Sequence, residues 1–189
     1  MSKWTLSNEK YEFIKGEIIH IFEYYKIKCK PVSGFEIATK MGIMLYPYSS
    51  LSKERLKVAM EVSPDGFYLE INGREYIYYN NNIGRSYERQ NMTILHEIGH
   101  CVLDHTGIKH TDEEEAEARF FAKYAIAPPV LVDTIKPEYP EELCENFEIS
   151  IEAAYYAFDY YIVWKRRHKR LGCYTDYEKK LIELYKKSA

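Results

Sequence analysis

The stretch from Ser86 to His105 constrains the fold more than any other. Met92, Leu95, Gly99 and Val102 recur there at spacings of three and four, so the segment predicts one amphipathic helix with an apolar stripe turned inward. The same helix carries His96, Glu97 and His100 close to that inward side. Burying two imidazoles and a carboxylate costs free energy unless each finds a partner, so the surrounding fold has to supply one.

The spacing points to the partner. His96-Glu97-Ile98-Gly99-His100 has the form HExxH, and four helical steps of roughly 100° bring the second histidine to within about 40° of the first. Both imidazoles then project from one face toward one ion. Neutral imidazole suits zinc, which polarises a carbonyl and lowers the pKa of a bound water to about 7. Glu97 is displaced around the helix, where it reaches that water and serves as general base.

A catalytic zinc takes three protein ligands and keeps one position open. Asp104 lies one turn beyond His100 on the same rod, poorly placed to close a tetrahedron. His105 needs a glycine-made turn after His100, and Cys101-Val102-Leu103 provides none. The acidic run that follows is better placed, because the loop from His105 to Asp112 lets it fold back. Phe120, Phe121, Tyr124 and Ala125 mark the packed face of that helix, and Glu117 stands three and four residues before the two phenylalanines. Glu117 is therefore the expected third ligand, with Glu113 and Glu114 as neighbours in or beside its row. Glu113 to Glu115 otherwise read as a solvated helix start favoured by the macrodipole. A developing oxyanion needs a further donor, for which His105, Arg89 and Tyr78 are the candidates.

The rest of the chain frames this helix. Its 189 residues suit one domain, with 1–143 as a catalytic core and 144–189 as a helical C-terminal subregion. Tyr11, Ile14, Ile18, Phe22 and Tyr25 share one face of a first helix. Ser33 and Glu36 form a capping box for a short helix that Gly42 closes. Residues 43–48 read as a strand, and Ser52 as the start of another short helix. Two aromatic-rich runs, 67–71 and 75–79, flank Asn72-Gly73 as a hairpin. Asp112 and Glu115 resemble the cap of the next helix, which Pro128-Pro129 ends. Ser150 caps a long segment, and a last helix spans 176–187. Helices around a small antiparallel sheet make an α+β fold. The 75–80 strand is a candidate for accepting substrate as an added strand.

The net charge of -3 gives no general reason to expect nucleic-acid or membrane binding. The N-terminus has no secretory pattern, no apolar run reaches membrane-spanning length, and the four cysteines form no CxxC pair, so the expected location is the cytoplasm. The 19 tyrosines are scattered and read as packing residues.

The sequence resembles the ImmA/IrrE family of metallopeptidases. The likeness is carried by Arg89 to Leu95 leading into HEIGH, by Leu103-Asp104-His105, and by Glu115-Ala116-Glu117-Ala118-Arg119-Phe120-Phe121-Ala122 running on to Pro128. It implies zinc ligation by His96, His100 and Glu117, with Glu97 as general base, and cleavage of a partner protein, commonly a helix-turn-helix repressor. Arg119 departs from the asparagine usual there, and Ala125-Ile126-Ala127 from a leucine-rich ending, but neither removes a ligand. A rival reading makes the chain a non-catalytic module that binds DNA or a repressor through the Ser150-capped helix, which resembles a helix-turn-helix element, and its basic run 165–170. Direct DNA binding is not favoured, since such a run also suits a solvated helix end. A zinc hydrolase of a smaller substrate is the other alternative.

Overall fold

A computed structural model describes residues 6–188, with the side chain of Ser188 left aside. Two compact units are interleaved along the chain: one runs to Ile14 and resumes from Ser33 to Ala122, and the other holds Lys15–Val32 and the chain from Lys123 onward. The fold is α+β, as the sequence predicts.

In the first unit, Ser33 caps helix α2 (Gly34–Met41; α1 is Asn8–Tyr24) by accepting from the Glu36 amide, and Gly42 closes it with a left-handed φ of 83°. Strand β1 (Met44–Pro47) leads through a single 3-10 turn to α3 (Lys53–Val62), capped by Ser52. Strands β2 (Gly66–Ile71) and β3 (Arg74–Tyr79) form the expected hairpin, with Asn72 and Gly73 both at positive φ as a two-residue primed turn requires. The sheet order is β1-β3-β2, and β1 runs parallel to β3 with Leu45 opposite Ile77. The sheet is therefore mixed instead of wholly antiparallel. A parallel neighbour is joined by a long crossover, so no local turn signal announces it. Because β3 is central, it has no free edge, which removes residues 75–80 as a site for strand addition; the antiparallel edge is β2.

Helix α4 (Tyr87–Val102) packs on β2 and β3, and α2 packs on α4. Its buried stripe is Asn91, Ile94, Leu95 and Ile98, with Gly99 and His100 beside it, while Met92 and Val102 are only half-buried. Each of Ile94, Leu95 and Ile98 contributes about 1.5–3 kcal/mol by leaving water. Buried Asn91 accepts a 2.6 Å hydrogen bond from the Gly34 amide, tying the start of α2 to α4. Gly66 is required where strand and helix meet, since a Cβ there would lie 2.7 Å from both Thr93 Cγ2 and the Tyr78 carbonyl oxygen.

The second unit is helical. Ile18 and Phe22 of α1 are fully buried, as the first-helix spacing predicts. Helix α5 (Asp112–Ile126), which belongs to the first unit as far as Ala122, ends before Pro128-Pro129, and α6 (Pro129–Val132) is buried throughout. After α7 (Glu142–Phe147), Ser150 caps α8 (Ile151–Leu171), which Gly172 closes and α9 (Asp176–Ser188) follows. The basic run 165–170 occupies the end of α8, where cations meet the helix's negative pole. Trp164 Nε1 donates to Glu178, linking α8 to α9.

Candidate metal centre

Ser86 starts α4 by accepting from the Arg89 amide, and ten residues later the helix delivers His96, Glu97 and His100. The Nε2 atoms of His96 and His100 stand 3.1 Å apart. Two nitrogens bound to one tetrahedral zinc at its usual bond length lie about 3.3 Å from each other, so the pair is already spaced as two ligands of one ion.

The carboxylate that joins them is Glu115. One of its oxygens lies 3.4 Å from His96 Nε2 and the other 3.6 Å from His100 Nε2. Among the described residues, His96, His100 and Glu115 form the group whose donor atoms all fall within 4.8 Å of one another. Two imidazoles and a carboxylate are a donor set that fits zinc. Glu117, expected from the sequence to be the third ligand, is buried on the packed face of α5 but is engaged elsewhere: Oε1 pairs with Lys10 Nζ at 2.9 Å and Oε2 with His105 Nε2 at 3.1 Å.

Two local features place Glu115 where it is. The capping box of α5 lies one residue earlier than Asp112 and Glu115 suggest. Thr111 Oγ1 accepts from the Glu114 amide at 3.2 Å, and Glu114 accepts from the Thr111 amide at 2.7 Å. Glu114 is thus consumed by the cap, and Glu115 is released toward α4. The second feature is Gly99, whose added Cβ would meet the Ala118 backbone at 3.1 Å. The two helices cross there at backbone distance, which brings the first turns of α5 within reach of the histidines.

The end of α4 turns without glycine. Asp104 adopts a left-handed φ of 57°, and the His105 amide bonds back to the His100 carbonyl at 3.0 Å. This is a Schellman closure with aspartate in the glycine position, a conformation that a short polar side chain tolerates. It leaves Asp104 exposed and returns His105 to His100, with 3.0 Å between their Nδ1 atoms. His110 stacks on His100 at 3.8 Å between centroids, and its buried Nδ1 has no hydrogen-bond partner. The sequence marks Glu115 only as a partner in the helix cap and gives no signal for His110; the alternative capping register is what frees Glu115.

Of the three oxyanion candidates, only His105 lies against the histidines of α4. His105 is buried with both ring nitrogens engaged inside the protein. Arg89 grips Asp65 through Nε at 3.1 Å and Nη2 at 2.9 Å, sharing that carboxylate with Arg85. Tyr78 pairs with Phe67, on the opposite sheet face from Gly66 and α4, and stacks between Phe67 and Tyr46.

Charge at the centre is set by burial. Burial pushes the Glu97 carboxyl up to about 7, opposed by neighbouring His96 and by a hydrogen bond from the Tyr68 backbone amide, and reinforced by Glu115. Burial likewise holds His100 below the usual histidine range, aided by His96 and His110, so its imidazole is neutral as a ligand must be. Glu115 is held below the usual carboxylate range, chiefly by its hydrogen bond with His96.

Two converging imidazoles, a carboxylate and a buried glutamate on the same helix are the equipment of a metal-dependent hydrolase. The IrrE N-terminal-like domain, a peptidase family, matches residues 39–159, and the chain belongs to this ImmA/IrrE family. Comparison with curated proteins and with solved structures returned no match. Membership brings a metallopeptidase-type function, and with it a metal and a protein substrate. Among the described residues, no helix is long and apolar enough to cross a membrane.

Proposed function

We propose that the chain is a zinc-dependent endopeptidase, one functional domain working in the cytoplasm, with His96, His100 and Glu115 as ligands and Glu97 as general base. The observation that carries this reading is the convergence of the two Nε2 atoms and the Glu115 carboxylate within 4.8 Å. Glu115 takes the place given to Glu117 in the sequence reading, because both Glu117 oxygens have partners of their own.

When bound, zinc polarises the scissile carbonyl and brings a water's pKa to about 7. Glu97 is buried, steadied by the Tyr68 amide and poised near neutrality. It takes a proton from the attacking water and passes it to the leaving amine. An extended substrate can pair with the open edge of β2, the strand whose Tyr68 touches Glu97. The substrate proposed is a helix-turn-helix repressor, on the strength of the family resemblance.

Metal content of the purified protein tests the site. Stoichiometric zinc in the wild type, lost in His100→Ala and Glu115→Ala but retained in Glu117→Ala, is the expected pattern. Zinc kept without Glu115 and lost without Glu117 would return the third position to Glu117. Incubation with the repressor encoded nearest the gene, with Glu97→Gln as the inactive control, then tests the substrate: loss of the intact repressor band only with wild type is expected.

A further inference from the structure

The contacts around Glu117 form a chain that leads back to the metal centre. Lys10 Nζ lies 2.9 Å from Glu117 Oε1, Glu117 Oε2 lies 3.1 Å from His105 Nε2, and His105 Nδ1 lies 3.0 Å from His100 Nδ1. Glu117 and His105 are each about 5% exposed, as is expected of groups that act within the protein and not on substrate. Lys10 is half-exposed on α1.

Hydrogen-bond chemistry allows a neutral chain of this order to hold its protons in one arrangement. A carboxylate offers only acceptors, so His105 Nε2 must donate to Glu117. A neutral imidazole with its proton on Nε2 has a bare Nδ1, so His105 Nδ1 accepts from His100 Nδ1. His100 then carries its proton on Nδ1 and presents the lone pair of Nε2 toward His96 and Glu115. We infer that Lys10, Glu117 and His105 are positioning residues that fix the tautomer and ring orientation of His100, and so set the affinity of the centre for its metal. The inference rests on the proposed ligand set. Such outer partners are worth about 10–100-fold in metal affinity.

Zinc itself is the probe, with affinity read by competition against a chromophoric chelator and folding checked by thermal unfolding of the chelator-stripped variants. Glu117→Gln and His105→Asn should each weaken zinc binding by about 10–100-fold while keeping one site per chain. Glu117→Gln should add little in the His105→Asn background, because the two act in series. Lys10→Met, on the surface end of the chain, should lose affinity in the same direction by less, and Lys10→Arg should restore it. Histidine side-chain nitrogen shifts of the zinc-loaded protein should show the His105 proton on Nε2 and the His100 proton on Nδ1.

Unchanged affinity in folded Glu117→Gln and His105→Asn, or a His105 proton on Nδ1, would overturn the relay while leaving the ligand set intact. Loss of the site with Glu117→Gln but not with Glu115→Gln would make Glu117 a ligand, overturning the relay by a different route. A wild type that takes up no zinc would overturn the ligand set, and the relay with it.

Discussion

Replacing Glu97 with Gln in the chelator-stripped protein should stabilise it at alkaline pH and leave it unchanged in acid. Burial lifts this carboxyl from an ordinary 4.5 to about 7. Between those values the folded chain keeps a proton that the unfolded chain has released, so this group's contribution to stability falls as pH rises from about 4.5 to 7. Above pH 7 the cost of the buried carboxylate is fully felt, about 3 kcal/mol at 1.36 kcal/mol per pH unit. Glutamine has similar shape and no charge to bury, so the variant should exceed wild type by up to about that amount at pH 8 and match it near pH 4. For a chain of this size the difference corresponds to a Tm gap of about 6–12 °C. His100, held low by burial, works in the opposite sense: its contribution is lost as pH falls through the ordinary histidine range. That effect is common to both proteins and cancels in the comparison. Thermal or urea unfolding of the two chains from pH 4 to 8 measures the gap. A gap of equal size at both ends of the range would refute the argument, and added zinc should shrink it, since a nearby cation favours the carboxylate.

Gly99→Val would drive a side chain into the Ala118 backbone and Phe121 Cβ, both about 3.1–3.2 Å from its first carbon. It should cost about 1–3 kcal/mol in stability and weaken zinc binding by carrying Glu115 away from the histidines, read by unfolding and chelator competition. Gly66→Ala meets a carbonyl oxygen as well as a methyl group at 2.7 Å, so it should destabilise by about 1–3 kcal/mol, and Thr93→Ser should relieve only the methyl half of that clash. Asp65→Ala would release Arg85 and Arg89 yet leave zinc content unchanged, which separates Arg89 from the metal centre.

Signals that are local in sequence survived best. Ser33, Ser52, Ser86 and Ser150 each cap the helix they mark, and Asn72-Gly73 makes its hairpin turn. His96 and His100 converge because four-residue spacing on a helix is nearly rigid. The position of Glu115 beside the two histidines is illegible in the sequence for two reasons. Reading Asp112 as the cap places Glu115 in the capping box, one residue away from the Thr111–Glu114 pair that forms it. Seeking the ligand on the fully packed face favours Glu117, whereas the carboxylate that meets the two histidines stands at the rim of a helix crossing, where Glu115 remains 38% exposed. The return of His105 depended on aspartate adopting a glycine-like backbone at Asp104, which residue type alone does not announce. The parallel pairing of β1 with β3 is a long-range event with no local mark in the chain.

The interleaving of the two units bears on how the chain is made. Residues 15–32 leave the ribosome well before the remainder of their unit, because the stretch 33–122 is synthesised in between. At translation speeds of about 5–20 residues per second, that delay is on the order of 5–20 s. The sheet and both histidine-bearing turns can assemble during the interval, while Ile18, Phe22 and Ile27, all destined for burial, wait without the helices that complete their unit. The nascent chain therefore carries a short adhesive segment while residues 33–122 are made, a natural point of attachment for chaperones that hold exposed apolar side chains.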